Sequence, residues 1–84
     1  MPEEEVGKVT HYFNKISVAA VELTGHLSVG DKIHIKGHTS DWVQTVESMQ
    51  IEHESVEKAA PGDTVGIKVD GHAHEHDIVY KVTD

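Results

Sequence analysis

The sequence predicts an all-β fold, a small closed or nearly closed antiparallel β-barrel of six or seven strands. Two observations carry that expectation. Gly-Asp followed by alternating β-branched residues occurs in Gly30-Asp31-Lys32-Ile33-His34-Ile35 and again in Gly62-Asp63-Thr64-Val65-Gly66-Ile67-Lys68-Val69, with a weaker echo at His76-Asp77-Ile78-Val79-Tyr80-Lys81-Val82. Such a pattern is a turn feeding a half-buried strand, because glycine takes backbone conformations that a Cβ penalises and aspartate bonds nearby backbone N–H groups. Turn signals also recur at short intervals, and no segment reads convincingly as a helix.

Residues 1–5, Met-Pro-Glu-Glu-Glu, read as an acidic tail, and residues 6–84 as the single barrel domain. Val6 to Phe13 alternates as a strand, and Asn14-Lys15 is a tight-turn candidate. Ile16 to Leu23 carries apolar residues on both parities; the β-branched Ile16, Val18 and Val21 favour a strand over the helix that Ala19-Ala20 would allow. Gly25 to Leu27 and Gly30-Asp31 turn the chain, and Lys32 to Lys36 then alternates with Ile33 and Ile35 inward. Residues 37–41 form a polar loop. In Trp42 to Glu54 the inward parity switches between Val46 and Met49, which predicts a bulge or bend near Glu47-Ser48. Val56 and Ala59 are expected to plug one end of the core. Pro61-Gly62 turns into Thr64 to Val69, and Asp70-Gly71 turns the chain before a closing strand, Ile78 to Val82. The predicted core is Val9, Val18, Leu27, Ile33, Ile35, Val46, Met49, Ile51, Val65, Ile67 and Val79.

At 84 residues the core must be small, and 37% hydrophobic with 26% charged residues is a globular composition. Without cysteine there is neither a disulfide framework nor a thiolate metal site. The formal charge is −8, and all seven basic residues are lysine. That balance argues against tight binding to nucleic acid or anionic membranes, since a phosphate grip calls for a basic patch with arginine forks. No apolar run approaches a membrane span and the first residues do not resemble a signal peptide, so a cytoplasmic location is the expectation.

The series Gly7-Lys8-Val9-Thr10, Gly25-x-Leu27-x-Val29-Gly30-Asp31-x-Ile33-x-Ile35-x-Gly37, Val46-x-Ser48-Met49-Gln50 and Val56-x-x-Ala59-x-Pro61-Gly62-Asp63-x-Val65-Gly66-Ile67 resembles the second, β-barrel domain of translational GTPases such as elongation factor Tu. Its phrasing is most similar to stand-alone elongation-factor-like proteins and to the C-terminal barrel of collagenase-like peptidases. The resemblance covers Val6 to about Val82, and the residues it carries over are the scaffold turns Gly25, Gly30, Asp31, Pro61, Gly62 and Asp63. It implies a non-catalytic binding module that docks on a protein of the translation apparatus or on a neighbouring domain. No G-x-x-x-x-G-K-[ST] loop is present, so no nucleotide is expected. The peptidase likeness carries no catalytic residue, because the barrel is not where that chemistry sits.

The remaining candidates have two readings each. Tyr12 and Phe13 offer stacking faces for RNA bases or a partner, or serve as rim and core residues; Trp42 is a partner anchor or a cap on one barrel end. His72, His74 and His76 alternate beside Glu75 and Asp77; in an extended chain their imidazoles would share a face and suit Zn or Ni, while otherwise they form a polar loop. H-E-x-x-H fails after His74-Glu75, and none of the serines has a nucleophile-elbow context, so no enzyme activity is expected from the chain itself. The function expected is protein docking, with weak contact to an RNA end or metal binding as alternatives.

Overall fold

The computed structural model describes residues 3–83. Ten strands succeed one another: β1 (Glu3–Phe13), β2 (Val18–Leu23), β3 (Leu27–Ser28), β4 (Lys32–Lys36), β5 (Asp41–Thr45), β6 (Met49–Ile51), β7 (Glu54–Val56), β8 (Lys58–Ala59), β9 (Thr64–Lys68) and β10 (Ile78–Val82). Eight make one sheet in the order β5-β4-β10-β1-β2-β9-β6-β7, and β3 pairs with β8; every pairing is antiparallel.

The sheet cannot be flat. β5 stands at one edge and β6 lies beside the other, yet only Val46, Glu47 and Ser48 separate them in the chain. Six strand spacings of a flat sheet would cover about 29 Å. Four peptide steps from Thr45 to Met49 reach about 14 Å at most. The sheet therefore curls until its edges approach, and the bend falls where Val46 and Met49, of opposite parity, both point into the core. Two β-bulges in the central strand β1, between Glu5 and Gly7 against β10 and between Val9 and His11 against β2, assist the curl.

Among the described residues β5 and β7 form no ladder with each other, and the strand order shows no closed ring of ladders. The sheet's gap is bridged by a side chain. The buried Gln44 accepts from the Trp42 indole N–H and the Asp70 backbone N–H, both at 2.8 Å, and donates to the Lys68 carbonyl at 3.0 Å. The Val46 N–H donates to the Asp31 carbonyl and Gly30 donates to the Val46 carbonyl, both at 2.8 Å, which carries the β4–β5 pairing on to the bend.

The strand count exceeds the predicted six or seven because β3, β7 and β8 are two or three residues long, too short for an alternating pattern. The stretch read as one strand from Trp42 to Glu54 is divided by the bend and by a two-residue turn at Glu52-His53. Glu3 to Glu5, read as tail, extend β1 and pair with β10, while Met1 and Pro2 lie outside the described residues.

Of the predicted core, Val9, Leu27, Ile33, Ile35, Val46, Met49, Val65, Ile67 and Val79 are buried in one cluster, and Ile51 packs against it half-buried. Val18 is a correction: Ala19, Val21 and Leu23 face inward and Val18 faces out. Both parities of that strand are apolar, so composition alone could not tell its faces apart. Val6, Ala59, Val69 and Ala73 complete the core.

The Gly-Asp grammar corresponds to one turn built three times. In Ser28–Asp31, Ala60–Asp63 and His74–Asp77 the Asp carboxylate accepts from the backbone N–H three residues earlier at 2.9 Å. The Asp N–H returns a bond to that residue's carbonyl at 3.1 Å in each. The third position has positive φ every time: 98° at Gly30, 94° at Gly62 and 75° at His76. Pro61 occupies the second position of its turn, where its fixed φ fits type II geometry. Gly25 plays a different part, passing close to Val6 and donating to its carbonyl at 3.1 Å.

On the outer face His34 spans several strands. Its Nδ1 meets Glu3 Oε2 of β1 at 2.7 Å, its Nε2 meets Asp41 Oδ1 of β5 at 2.5 Å, and its ring tilts against Tyr80 of β10. Two carboxylates on two ring nitrogens suit the imidazolium, which donates from both. The bond to Asp41, opposed by burial and aided by Glu3, raises the His34 pKa above 6.5. The bond to His34 lowers that of Asp41 below 3.8.

Three outcomes follow from this geometry. Gly30→Val or Gly62→Val should lower the free energy of unfolding in urea by about 1–3 kcal/mol, whereas His76→Gly should raise it by about 0.5–1 kcal/mol, since glycine relieves the strained third turn. Ile67→Ala should cost about 2–5 kcal/mol, a cavity effect large enough to leave so small a domain barely folded; a cost below 1 kcal/mol would contradict the packing. The His34 contribution is full below its unfolded value of 6.5 and fades as pH rises through the raised folded value. The Asp41 contribution is full above 3.8 and fades as pH falls through the lowered one. Thermal melts should therefore show a stability plateau between those two values that His34→Gln flattens.

Candidate functional site

Two groups of residues singled out separately in the sequence meet at one corner. Tyr12, near the end of β1, is half-buried against the core and its ring lies 4.5 Å from that of His72. His72 lies 4.7 Å from His74. Trp42, at the start of β5, is half-buried and lies flat over Gly71, where a side chain would collide with the indole. Trp42 packs against the core at this end, and Gln44 holds its N–H.

Loop 37–40 is tied to the same corner by Ser40. Its hydroxyl is buried, lies 3.0 Å from His74 Nδ1 and donates to the His72 carbonyl at 3.3 Å. His11 completes the cluster, with Glu75 Oε2 at 3.9 Å and the Phe13 ring edge-on at 4.4 Å. His38 shares an open cleft of 390 Å³ with His74, Glu75, His76 and Asp77.

Ser40, His74 and Asp77 have the residue types of a catalytic triad, but one nitrogen is asked to do two tasks. His74 Nδ1 faces both Ser40 Oγ and, at 3.9 Å, Asp77 Oδ2. A relay needs the carboxylate on one ring nitrogen and the hydroxyl on the other. Asp77 is committed to its turn through the His74 N–H, and Ser40 is buried. The arrangement fastens two loops together.

The one-face array expected of His72, His74 and His76 requires an extended chain, and the turn at His74–Asp77 interrupts it. Among the described residues no group of three or more His, Asp or Glu is placed to hold a metal ion. For RNA, His72 already occupies a face of Tyr12. Of the lysines, Lys8 and Lys36 flank Ile78 on one side of the sheet, Lys68 lies beside Val18, and Lys81 donates to the His26 carbonyl at 3.2 Å.

A feature the sequence did not reveal lies on the outer face of β2, β9 and β6. It is an open groove of 410 Å³. Phe13 and Ile16, 45% and 60% exposed, form its apolar wall. Ala20 and Gly66, directly paired across β2 and β9, form a floor with little side chain. Glu52 and His53, the turn between β6 and β7, stand opposite. The β1–β2 connection that presents Ile16 is four residues long, Asn14–Ser17, instead of a tight turn at Asn14-Lys15. The outward orientation of Val18 was the missing signal: once β2 is read with Ala19 inward, Val18 and Ala20 form a half-buried apolar surface on the outer face.

No protein-family model matches the chain. It is 44% identical over 77 residues to an uncharacterized protease of Methanocaldococcus jannaschii, covering 90% of this chain and 19% of that protein. It is 37% identical over 78 residues to a collagenase of Porphyromonas gingivalis, covering 90% of this chain and 22% of the collagenase. The chain thus spans about a fifth of the length of these relatives. The C-terminal domain of a putative U32 peptidase of Geobacillus thermoleovorans superposes with a TM-score of 0.89 at 23% identity, covering 95% of this chain and 93% of that one. These matches lie on the peptidase side of the resemblance, and none of the three is a translation factor. The chain is homologous, over nine-tenths of its length, to a domain-sized segment of collagenase-like proteases, and it has the fold of the C-terminal domain of a U32-type peptidase.

Proposed function

We propose that the chain is a non-catalytic accessory domain that docks on the catalytic region of a U32-type, collagenase-like peptidase. The observation that carries this reading is one of extent. Nearly the whole chain aligns with about a fifth of each protease, which leaves most of the protease to supply the chemistry. The corner around Ser40 and His74 agrees with it, since its polar groups are spent on joining loops. The translation partner suggested by the elongation-factor likeness has no support from these relatives, and a charge of −8 without arginine opposes a phosphate grip on RNA.

The reading is tested with the Porphyromonas gingivalis collagenase deprived of its matching segment. The 84-residue chain, and as a positive control the collagenase's own segment, are titrated into it by calorimetry while peptide hydrolysis is followed. The chain alone should hydrolyse no collagen-derived peptide. It should bind the truncated collagenase and alter its turnover or its affinity for substrate. Hydrolysis by the chain alone, or binding by the control segment with none by the chain, would refute the proposal.

A further inference from the structure

Resting on that docking reading, we infer that the groove between the β1–β2 and β6–β7 turns is the docking surface, and that its occupant is an apolar side chain, flanked by basic residues, on the protease catalytic region. The shape fits such a guest. Phe13, Ile16 and Val18 supply an apolar wall, and the absence of a side chain at Gly66 leaves depth beneath them. At 410 Å³ the groove admits a large aliphatic or aromatic side chain with its immediate neighbours.

Backbone strain is concentrated on its two rims. Ser17, with φ 55°, ends the turn that carries Ile16. Glu52 and His53, with φ 51° and 67°, make a two-residue hairpin turn that ordinarily favours Asn-Gly. Two of the four non-glycine residues with positive φ among those described thus line the groove, and a third, Ser17, stands in the chain between its lining residues Ile16 and Val18. Side chains retained where glycine would be easier are a recurrent mark of ligand clamps. Charge complementarity selects the guest's flanks. The chain's charge is −8, and Glu52 stands on the polar rim facing the apolar wall. A basic residue beside the inserted apolar one would meet that carboxylate. The size of the missing partner agrees, since about four-fifths of each relative lies outside this domain.

The experiment repeats the titration against the truncated collagenase with three variants. Ile16→Asp changes an exposed wall residue, and Gly66→Val fills the floor, where a Cβ would stand 3.2 Å from Val18 Cγ1 and needs only a small adjustment. Val43→Asp alters an exposed apolar residue outside the groove. Circular dichroism melts accompany each variant. Ile16→Asp and Gly66→Val should weaken binding about tenfold or more while still melting cooperatively, and Val43→Asp should bind as the unaltered chain does. Unchanged binding by both groove variants would overturn the groove and leave the docking reading standing. Failure of the unaltered chain to bind, with the collagenase's own segment binding, would remove both. Self-association in sedimentation that Ile16→Asp abolishes would identify a second copy as the occupant and overturn the inference.

Discussion

The structure depends on a crossing of three residues. Val46, Glu47 and Ser48 carry the chain between the two ends of the sheet order, a distance no flat sheet would allow. Curvature is therefore imposed by connectivity, and the other devices accommodate it. The bulges in β1 bend the central strand, Val46 and Met49 switch parity so that both reach the core, and Gln44 bridges the gap. A buried amide is a demanding component, since each of its polar atoms needs a partner. Gln44 meets that demand by joining β5 to the segment that follows β9, which hydrogen-bonded pairing leaves apart.

Much of this was legible because the residues concerned have a single plausible use. Gly-Asp before an alternating run has few alternatives to a turn, and the same turn recurs even where His76 replaces glycine. The parity switch between Val46 and Met49 could be read because polar residues separate the apolar ones. Legibility failed where composition was degenerate. Ile16 to Leu23 is apolar on both faces, so Val18 was assigned inward when Ala19 takes that side. Glu3 to Glu5 look like tail, but β10 gives them a ladder to join. Short strands such as β3 and β8 exist through partners distant in sequence.

The candidate site divides in the same way. That Tyr12, Trp42 and the histidines were worth attention could be seen from their types. That they share a corner, with Tyr12 against His72 and Trp42 over Gly71, is a matter of topology. The corner is densely connected and the groove is not, and that contrast separates their roles. Ring contacts, the Ser40 bonds and the third Asp turn bind the corner's loops together, whereas Phe13 and Ile16 remain exposed on the groove wall. The groove depends on what its positions lack, a small floor and two exposed side chains, and no motif records an absence.

The place of β10 has a bearing on how the sheet is assembled. It follows β1 to β9 in sequence yet lies between β1 and β4, so β1 has one neighbour close in sequence and one far away. β1 can pair with β2 locally, but β4 and β5 join that hairpin only when Ile78–Val82 docks between them. Until it does, the β1 edge stands open to other chains. Acidic residues occupy the β1 edge, Glu3 to Glu5, and repulsion between like charges discourages two copies from pairing there.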